Sequence, residues 1–84
     1  MPTLRLMHVV LYTRPGCHLC DVARDVIVAE RARRSFAFEE IDVSLDDSLE
    51  LKYGIRIPVV TLEGEERFEI EVDPEEFAAL LNAG

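Results

Sequence analysis

The chain has few glycines, prolines and cysteines and no tryptophan among its 84 residues, and each scarcity excludes a class of protein. Four glycines and four prolines are too few for a collagen-like or low-complexity chain. Two cysteines cannot form the disulfide framework of a small secreted domain. No apolar run reaches the roughly 18 residues that a membrane-spanning helix needs, and the first residues lack the pattern of a signal peptide. We therefore expect a soluble, cytoplasmic protein that has no membrane partner.

A surplus of positive charge is also missing, since 17 acidic residues outnumber 9 basic ones and the net charge is −8. This balance argues against a nucleic-acid partner, because binding to phosphates needs a basic face. The charge is divided unevenly, with +3 in residues 1–38 and −11 in residues 39–84. A content of 49% hydrophobic residues is enough for a folded core. The length predicts one domain, residues 1–84, which we expect to be a monomer.

Hydrophobic periodicity and turn residues predict elements in the order βαβαββα. The predicted strands cover 4–12, 36–43, 58–62 and 67–72, and the predicted helices cover 17–34, 44–52 and a final segment that begins at 74. Ser44 is the expected N-cap of the second helix and Gly54 its terminator. Alternation in the last strand places Ile70 on its apolar face, together with Phe68 and Val72. We expect a parallel first β-α-β unit and a closing antiparallel hairpin, which together form a four-stranded mixed sheet flanked by helices.

The two cysteines, Cys17 and Cys20, follow a predicted strand and a Pro-Gly turn and open a predicted helix. A C-x-x-C pair in this context is typical of a thioredoxin-like redox site. A structural zinc site needs four ligands, and beside the cysteines the chain offers only His18 and His8, the latter inside a predicted strand. Asp21, which suits the first turn of a helix, stands where a c-type haem site needs histidine. We therefore expect no metal site.

Two segments of the sequence resemble a known family. Segment 12–20 (YTRPGCHLC) resembles the glutaredoxin pattern of tyrosine, a small residue, a basic residue, two further residues and C-x-x-C. Segment 53–58 (YGIRIP) is similar to the segment that carries the cis-proline of thioredoxin-fold proteins. On these motifs the chain resembles the short bacterial glutaredoxin-like proteins. The resemblance implies an α/β, thioredoxin-like (glutaredoxin-like) fold and activity as a thiol-disulfide oxidoreductase.

The same resemblance implies roles for individual residues. Cys17 would be the attacking thiol and Cys20 the resolving thiol, and the two would form a redox-active disulfide. The start of the helix and the nearby Arg14 are expected to favour the thiolate and so to lower the pKa of Cys17. Pro58, if its peptide bond is cis, would place the backbone of Ile57 beside the two sulfur atoms. The implied substrate-binding or activating residues are Tyr12, Arg14, His18, Ile57 and Pro58.

Several alternatives stay open at this point. The substrate is a disulfide in a protein or in a small molecule, and the electron donor is glutathione, acting as a co-substrate, or a thioredoxin-reductase-type enzyme. No tightly bound cofactor is expected, although an iron–sulfur cluster shared between two chains through Cys17 and glutathione is a further alternative. The Gly-Gly and acid that hold glutathione in glutaredoxins are missing after Phe68. His18 either assists the thiolate or is only an exposed polar residue. In a different class, the protein would be a non-catalytic thioredoxin-fold binding or redox-sensing module.

Overall fold

The computed structural model describes residues 7–83, and a four-stranded mixed sheet forms its centre. The strands are β1 (His8–Thr13), β2 (Ala37–Asp42), β3 (Val59–Leu62) and β4 (Glu65–Glu69), and the α-helices are α1 (His18–Arg31), α2 (Asp47–Tyr53) and α3 (Pro74–Ala83). A short 3-10 helix, Val43–Leu45, connects β2 to α2. The order of the α-helices and strands confirms the predicted βαβαββα arrangement and the α/β fold class.

Strand β1 lies inside the sheet, whose order is β2-β1-β3-β4. It pairs in parallel with β2 and antiparallel with β3, and β3 forms an antiparallel hairpin with β4. The hairpin turn consists of Glu63 and Gly64, with φ angles of 53° and 83°. Positive φ at both residues is the requirement of the two-residue turn that matches the twist of the strands. The continuous apolar run of β1 is therefore explained by an internal position that is covered on both faces.

Two separate hydrophobic clusters cover the two faces of the sheet. Successive residues of a strand point to opposite faces, and accordingly Val60 belongs to the larger cluster and Val59 to the smaller one. The larger cluster joins the sheet to α1 and α3, and its fully buried Phe77 makes edge-on contacts with Phe36 and Phe68. The smaller cluster consists of Val43, Tyr53 and Val59, with Tyr12, Leu49 and Ile57 packed against it. Helices thus flank the sheet on both sides, as the sequence predicts.

The ends of the first strand and helix differ from the prediction. Strand β1 extends to Thr13, and residues 4–6 of the predicted strand lie outside the described residues. Helix α1 ends at Arg31 instead of 34, because the amides of Arg33 and Arg34 both bond to the carbonyl oxygen of Glu30 in a turn. No helix in the described part of the chain is long and apolar enough to cross a membrane.

The segment between β2 and α2 was predicted wrongly, because two aspartates, and not Ser44, cap its helices. Asp42 accepts a hydrogen bond from the backbone of Ser44 and caps the 3-10 helix. The carboxylate of Asp46 accepts the backbone N–H groups of Leu49 and Ser48, at 3.2 and 2.8 Å, and caps α2. These bonds stabilise the charged carboxylate and lower the pKa of Asp46. Gly54 does end the helix, as predicted.

Strand β4 ends at Glu69, three residues before the predicted end. Ile70 has a φ angle of 71°, and its N–H donates to the carbonyl oxygen of Pro58 at 2.8 Å. This backbone conformation interrupts the alternation, so that Ile70 is 41% exposed whereas Phe68 and Val72 are buried. The prediction of a buried Ile70 was therefore wrong.

Candidate active site

The two cysteines lie where β1 ends and α1 begins, and they are joined by a disulfide with a Cα–Cα distance of 5.2 Å. Gly16 has a φ angle of 79°, a conformation that residues with a side chain rarely adopt, and it turns the chain from the strand towards the helix. Cys17 is the N-cap of α1, and its Sγ accepts the backbone N–H of Cys20 at 3.2 Å. The Pro-Gly turn therefore places Cys17 at the positive end of the helix dipole.

The two cysteines differ in their access to solvent. Cys20 is fully buried, whereas Cys17 is partly exposed. His18 is exposed, and Leu19 has 47% of its surface exposed. Cys17 is therefore the cysteine of the pair that a molecule in solution can approach, whereas Cys20 is shielded by the fold.

Ile57 and Pro58 lie at the same end of the sheet as the cysteines. Their peptide bond is cis, as the resemblance implies. Strand β3 runs antiparallel to β1, with Val59 opposite Tyr12, so the start of β3 lies beside the end of β1. Pro58 is buried and Ile57 is partly buried. The topology thus brings together two segments that lie about forty residues apart in the sequence.

Tyr12 is the penultimate residue of β1, and its ring stacks on that of Tyr53 with a centroid distance of 4.2 Å. Burial raises the pKa of Tyr12, and the neighbouring Tyr53 phenol adds to the effect. Lys52 and Arg56 lie over the Tyr53 ring, with their charged groups 5.2 and 5.4 Å from its centroid. Tyr12 was predicted as a substrate-binding or activating residue, and in this structure its ring packs against the smaller cluster.

Arg14 forms an ion pair with Glu50, a residue of α2 that is 36 positions away in the sequence. Gly54 leaves room for this carboxylate, because a Cβ atom at that position would lie 2.5 Å from Glu50 Oε1. The resemblance implies that Arg14 is a cation near Cys17, and in the structure this cation also pairs with a carboxylate. No local sequence pattern indicates Glu50 as a partner of Arg14.

A cleft of about 320 Å³ adjoins the cysteine segment. Its lining residues are Thr13, Arg14, Pro15, Gly16, Asp21, Arg24, Glu40 and Asp42. Arg24 pairs with Glu40 and with Asp21, and the hydrogen bonds that it donates to these carboxylates, that to Glu40 first, raise the pKa of Arg24. Asp21 therefore belongs to an ion-pair network at the first turn of α1. Among residues 7–83, no three or more His, Cys, Asp or Glu side chains are arranged to hold a metal ion.

A buried and a partly exposed cysteine at a helix start, next to a cis-proline segment on a mixed four-stranded sheet, define a thioredoxin-fold protein with a C-x-x-C pair. Comparison with known proteins agrees with this class. The chain belongs to the family described as "Glutaredoxin-like domain (DUF836)", which matches residues 8–82. The family and fold that the sequence motifs indicated are thereby confirmed.

Solved structures similar to this chain extend over almost its whole length. Protein XcR50 from X. campestris is 32% identical, with 90% of this chain and 97% of that chain covered and a TM-score of 0.75. Protein Ne2328 from Nitrosomonas europaea is 25% identical, with 96% and 98% covered and a TM-score of 0.80. A thioredoxin variant from Halobacterium salinarum is 22% identical, with 92% and 73% covered and a TM-score of 0.69, a likeness that concerns the fold alone.

One similar protein has a name that states an activity. It is the N-acetyl-S-hydroxy-L-cysteine reductase of Bacillus subtilis (strain 168), which is 32% identical over 62 residues, or 68% of this chain. The match spans 62% of the length of that relative. The name describes the reduction of a small sulfenic acid by that protein.

Proposed function

We propose that the protein is a thiol-disulfide oxidoreductase that uses Cys17 and Cys20 to reduce disulfides in proteins or small molecules. The observation that carries this proposal is a partly exposed Cys17 that is joined by a disulfide to a fully buried Cys20 at the start of α1. A reactive cysteine needs solvent access and a setting that favours its thiolate. The helix N-terminus supplies that setting, and the Cys20 N–H points at the Cys17 sulfur.

The reaction begins from the reduced dithiol. The Cys17 thiolate attacks one sulfur of the substrate disulfide, the substrate S–S bond breaks, and the second substrate sulfur leaves with the bonding electron pair and takes up a proton. Cys20 then loses its proton and attacks the Cys17 sulfur of the mixed disulfide, which releases the other substrate thiol. The substrate gains two electrons and two protons overall, and the protein is left with its Cys17–Cys20 disulfide. Glutathione or a thioredoxin-reductase-type enzyme would return the two electrons.

The segment around Pro58 is proposed to guide the substrate. It starts β3 at the end of the sheet from which the cysteine segment departs. Ile57 is partly buried, and its backbone can pair with an extended substrate chain on that side. His18 is exposed beside Cys17, where a protonated imidazole would favour the thiolate.

A second candidate function is the reduction of a small sulfenic acid, which the name of the Bacillus subtilis relative favours. A sulfenic acid presents an electrophilic sulfur, as a disulfide does. Attack by the Cys17 thiolate would form the same kind of mixed disulfide, with the hydroxyl group leaving as water after it gains a proton. Cys20 would then release the reduced thiol. Both candidates use the same two sulfur atoms in the same order.

The test is to replace each cysteine separately by serine, to reduce each protein and remove the reductant, and then to add a disulfide substrate. Cys17→Ser is expected to abolish turnover, and Cys20→Ser is expected to accumulate a mixed disulfide on Cys17 that mass spectrometry detects. Glutathione and a thioredoxin reductase are compared as donors in the same assay. Full activity in Cys17→Ser would refute the assignment of the attacking thiol. No turnover of any disulfide or sulfenic acid by the unmodified protein would instead favour the binding or redox-sensing module.

A further inference from the structure

We propose that Glu50 determines the substrate specificity of this site: by pairing with Arg14 it disfavours anionic disulfides and leaves neutral or cationic ones as the preferred substrates. This inference rests on the proposed exchange reaction and adds the charge class of its substrate. It concerns a residue that does not touch the reacting sulfur atoms, so that Glu50 is a positioning residue for the Arg14 charge.

Arg14 is placed where a substrate of Cys17 would meet it. It lies three residues before Cys17 and lines the cleft that also contains Gly16 and Asp21, which flank the cysteine pair in the sequence. The Arg14 side chain is 37% exposed, although its Nε is buried, so the exposed part of the side chain can interact with a molecule in the cleft. A substrate carboxylate near Cys17 would be attracted to this group if the group were free.

The Glu50 carboxylate, which lies outside the residues that line the cleft, already pairs with this guanidinium and acts as an internal competitor. Its Oε1 contacts Nη2 of Arg14, and α2 presents it from a short helix that is capped by Asp46. The absence of a side chain at Gly54 lets the carboxylate lie against the helix end. A substrate carboxylate would have to displace Glu50 before it could pair with Arg14. An uncharged or cationic substrate pays no such cost.

The second arginine of the cleft, Arg24, is not a free partner for a substrate carboxylate either. Arg24 is held by Glu40 and by Asp21. Asp42 adds a further carboxylate, which is directed to the backbone of Ser44. Among the residues that line the cleft, the two arginines are accompanied by three carboxylates, those of Asp21, Glu40 and Asp42, and Glu50 adds a fourth from outside the cleft. An anionic substrate meets an excess of negative charge here.

The experiment compares three small disulfides that differ mainly in charge: anionic 3,3′-dithiodipropionate, neutral bis(2-hydroxyethyl) disulfide and cationic cystamine. The reduced protein is freed of reductant and mixed with each disulfide, and formation of the Cys17–Cys20 disulfide is followed by quenching with an alkylating agent and mass spectrometry. We expect Glu50→Gln to raise the ratio of the anionic to the neutral rate constant by about three- to tenfold, because one nearby charge is removed. Added salt should reduce this change.

Two further variants separate the effect of the ion pair from that of net charge. Glu76→Gln removes the same charge from α3, which lies against the second half of α1, and should change the ratio by less than about twofold. In the Glu50→Gln background, Arg14→Gln should return the ratio to about its original value. Circular dichroism checks that each variant is folded, and Glu50→Ser must shift the ratio in the same direction as Glu50→Gln.

An unchanged or lower ratio in folded Glu50→Gln or Glu50→Ser would overturn the inference. An equal rise in the Glu76→Gln control would overturn it as well, since the effect would then belong to net charge. If the unmodified protein reacts with none of the three disulfides, that result would count against the proposed oxidoreductase function instead. The two proposals therefore fail by different results.

Discussion

Replacing Tyr53 by alanine is expected to bring the protein close to unfolding, because this side chain anchors the smaller cluster beneath the active-site end of the sheet. Tyr53 is 4% exposed and packs with Val43 and Val59. Truncating a large buried aromatic residue costs about 3–5 kcal/mol. The stack on Tyr12 contributes a further ~0.5–1.5 kcal/mol. The expected loss of about 4–6 kcal/mol compares with a total stability on the order of 4–13 kcal/mol for 84 residues.

Urea unfolding followed by far-ultraviolet circular dichroism measures this loss. Tyr53→Phe keeps the ring and should cost about 1 kcal/mol or less, since only the phenol oxygen is removed. Leu51→Ala, two residues earlier in α2, is the matched control, because Leu51 is 89% exposed and its truncation should stay within about 0.5 kcal/mol. A loss below about 1.5 kcal/mol in Tyr53→Ala, or an equal loss in Leu51→Ala, would refute the assignment of Tyr53 as the anchor of this cluster. Because Ile57 packs against the same cluster, we also expect slower thiol-disulfide exchange in the folded Tyr53→Ala protein.

Three further predictions concern stability. Phe77→Ala should lower the free energy of unfolding by about 3–5 kcal/mol, whereas Val28→Ala at an exposed site of α1 should change it by less than about 0.5 kcal/mol, both measured by urea unfolding. The raised pKa of Tyr12 means that the folded state holds the phenol proton more tightly than the unfolded state. Its contribution to stability should therefore persist below about pH 10 and decline as the pH rises through the folded pKa, with tyrosinate absorbance reporting the titration. The lowered pKa of Asp46 has the opposite effect on the pH dependence. The contribution of this carboxylate to the free energy of unfolding should be complete above about pH 4 and disappear as the pH falls through the folded pKa. Asp46→Asn should remove this part of the acid dependence.

Much of the architecture could be predicted because its signals are local. The apolar run of β1, the Pro-Gly turn and the C-x-x-C pair follow one another directly, and together they indicate a strand, a turn and a helix start. The helix start at Asp73 and Pro74 is equally local, and α3 begins there. The resemblance to a family added the cis peptide bond before Pro58, which sequence spacing alone does not indicate.

The features that could not be predicted depend on tertiary contacts or on backbone conformation. The alternation of apolar and charged residues predicted a buried Ile70. In the structure, however, the backbone at Ile70 has a positive φ, and its N–H donates to the carbonyl oxygen of Pro58. The Arg14–Glu50 pair joins residues 36 positions apart, and neither neighbourhood contains a signal for the other. Segment 42–48 also contains several residues that can serve as helix N-caps. Which of them do so depends on the folded backbone, and there Asp42 and Asp46 are the N-caps and Ser44 is not.

The two outer strands of the sheet, β2 and β4, have a consequence for self-association. An unpaired strand edge can template the addition of a strand from another chain, which is how many fibrils start. Here β2 exposes Glu39 and Glu40, and β4 exposes Glu65, Glu66 and Glu69. Stacking copies edge to edge would bring these glutamates together, and their ion pairs with Arg24, Arg56 and Arg67 offset only part of the negative charge. Part of the acidic surplus in the second half of the chain is thus expected to oppose edge-to-edge association, an effect that should weaken in acid as the carboxylates become neutral.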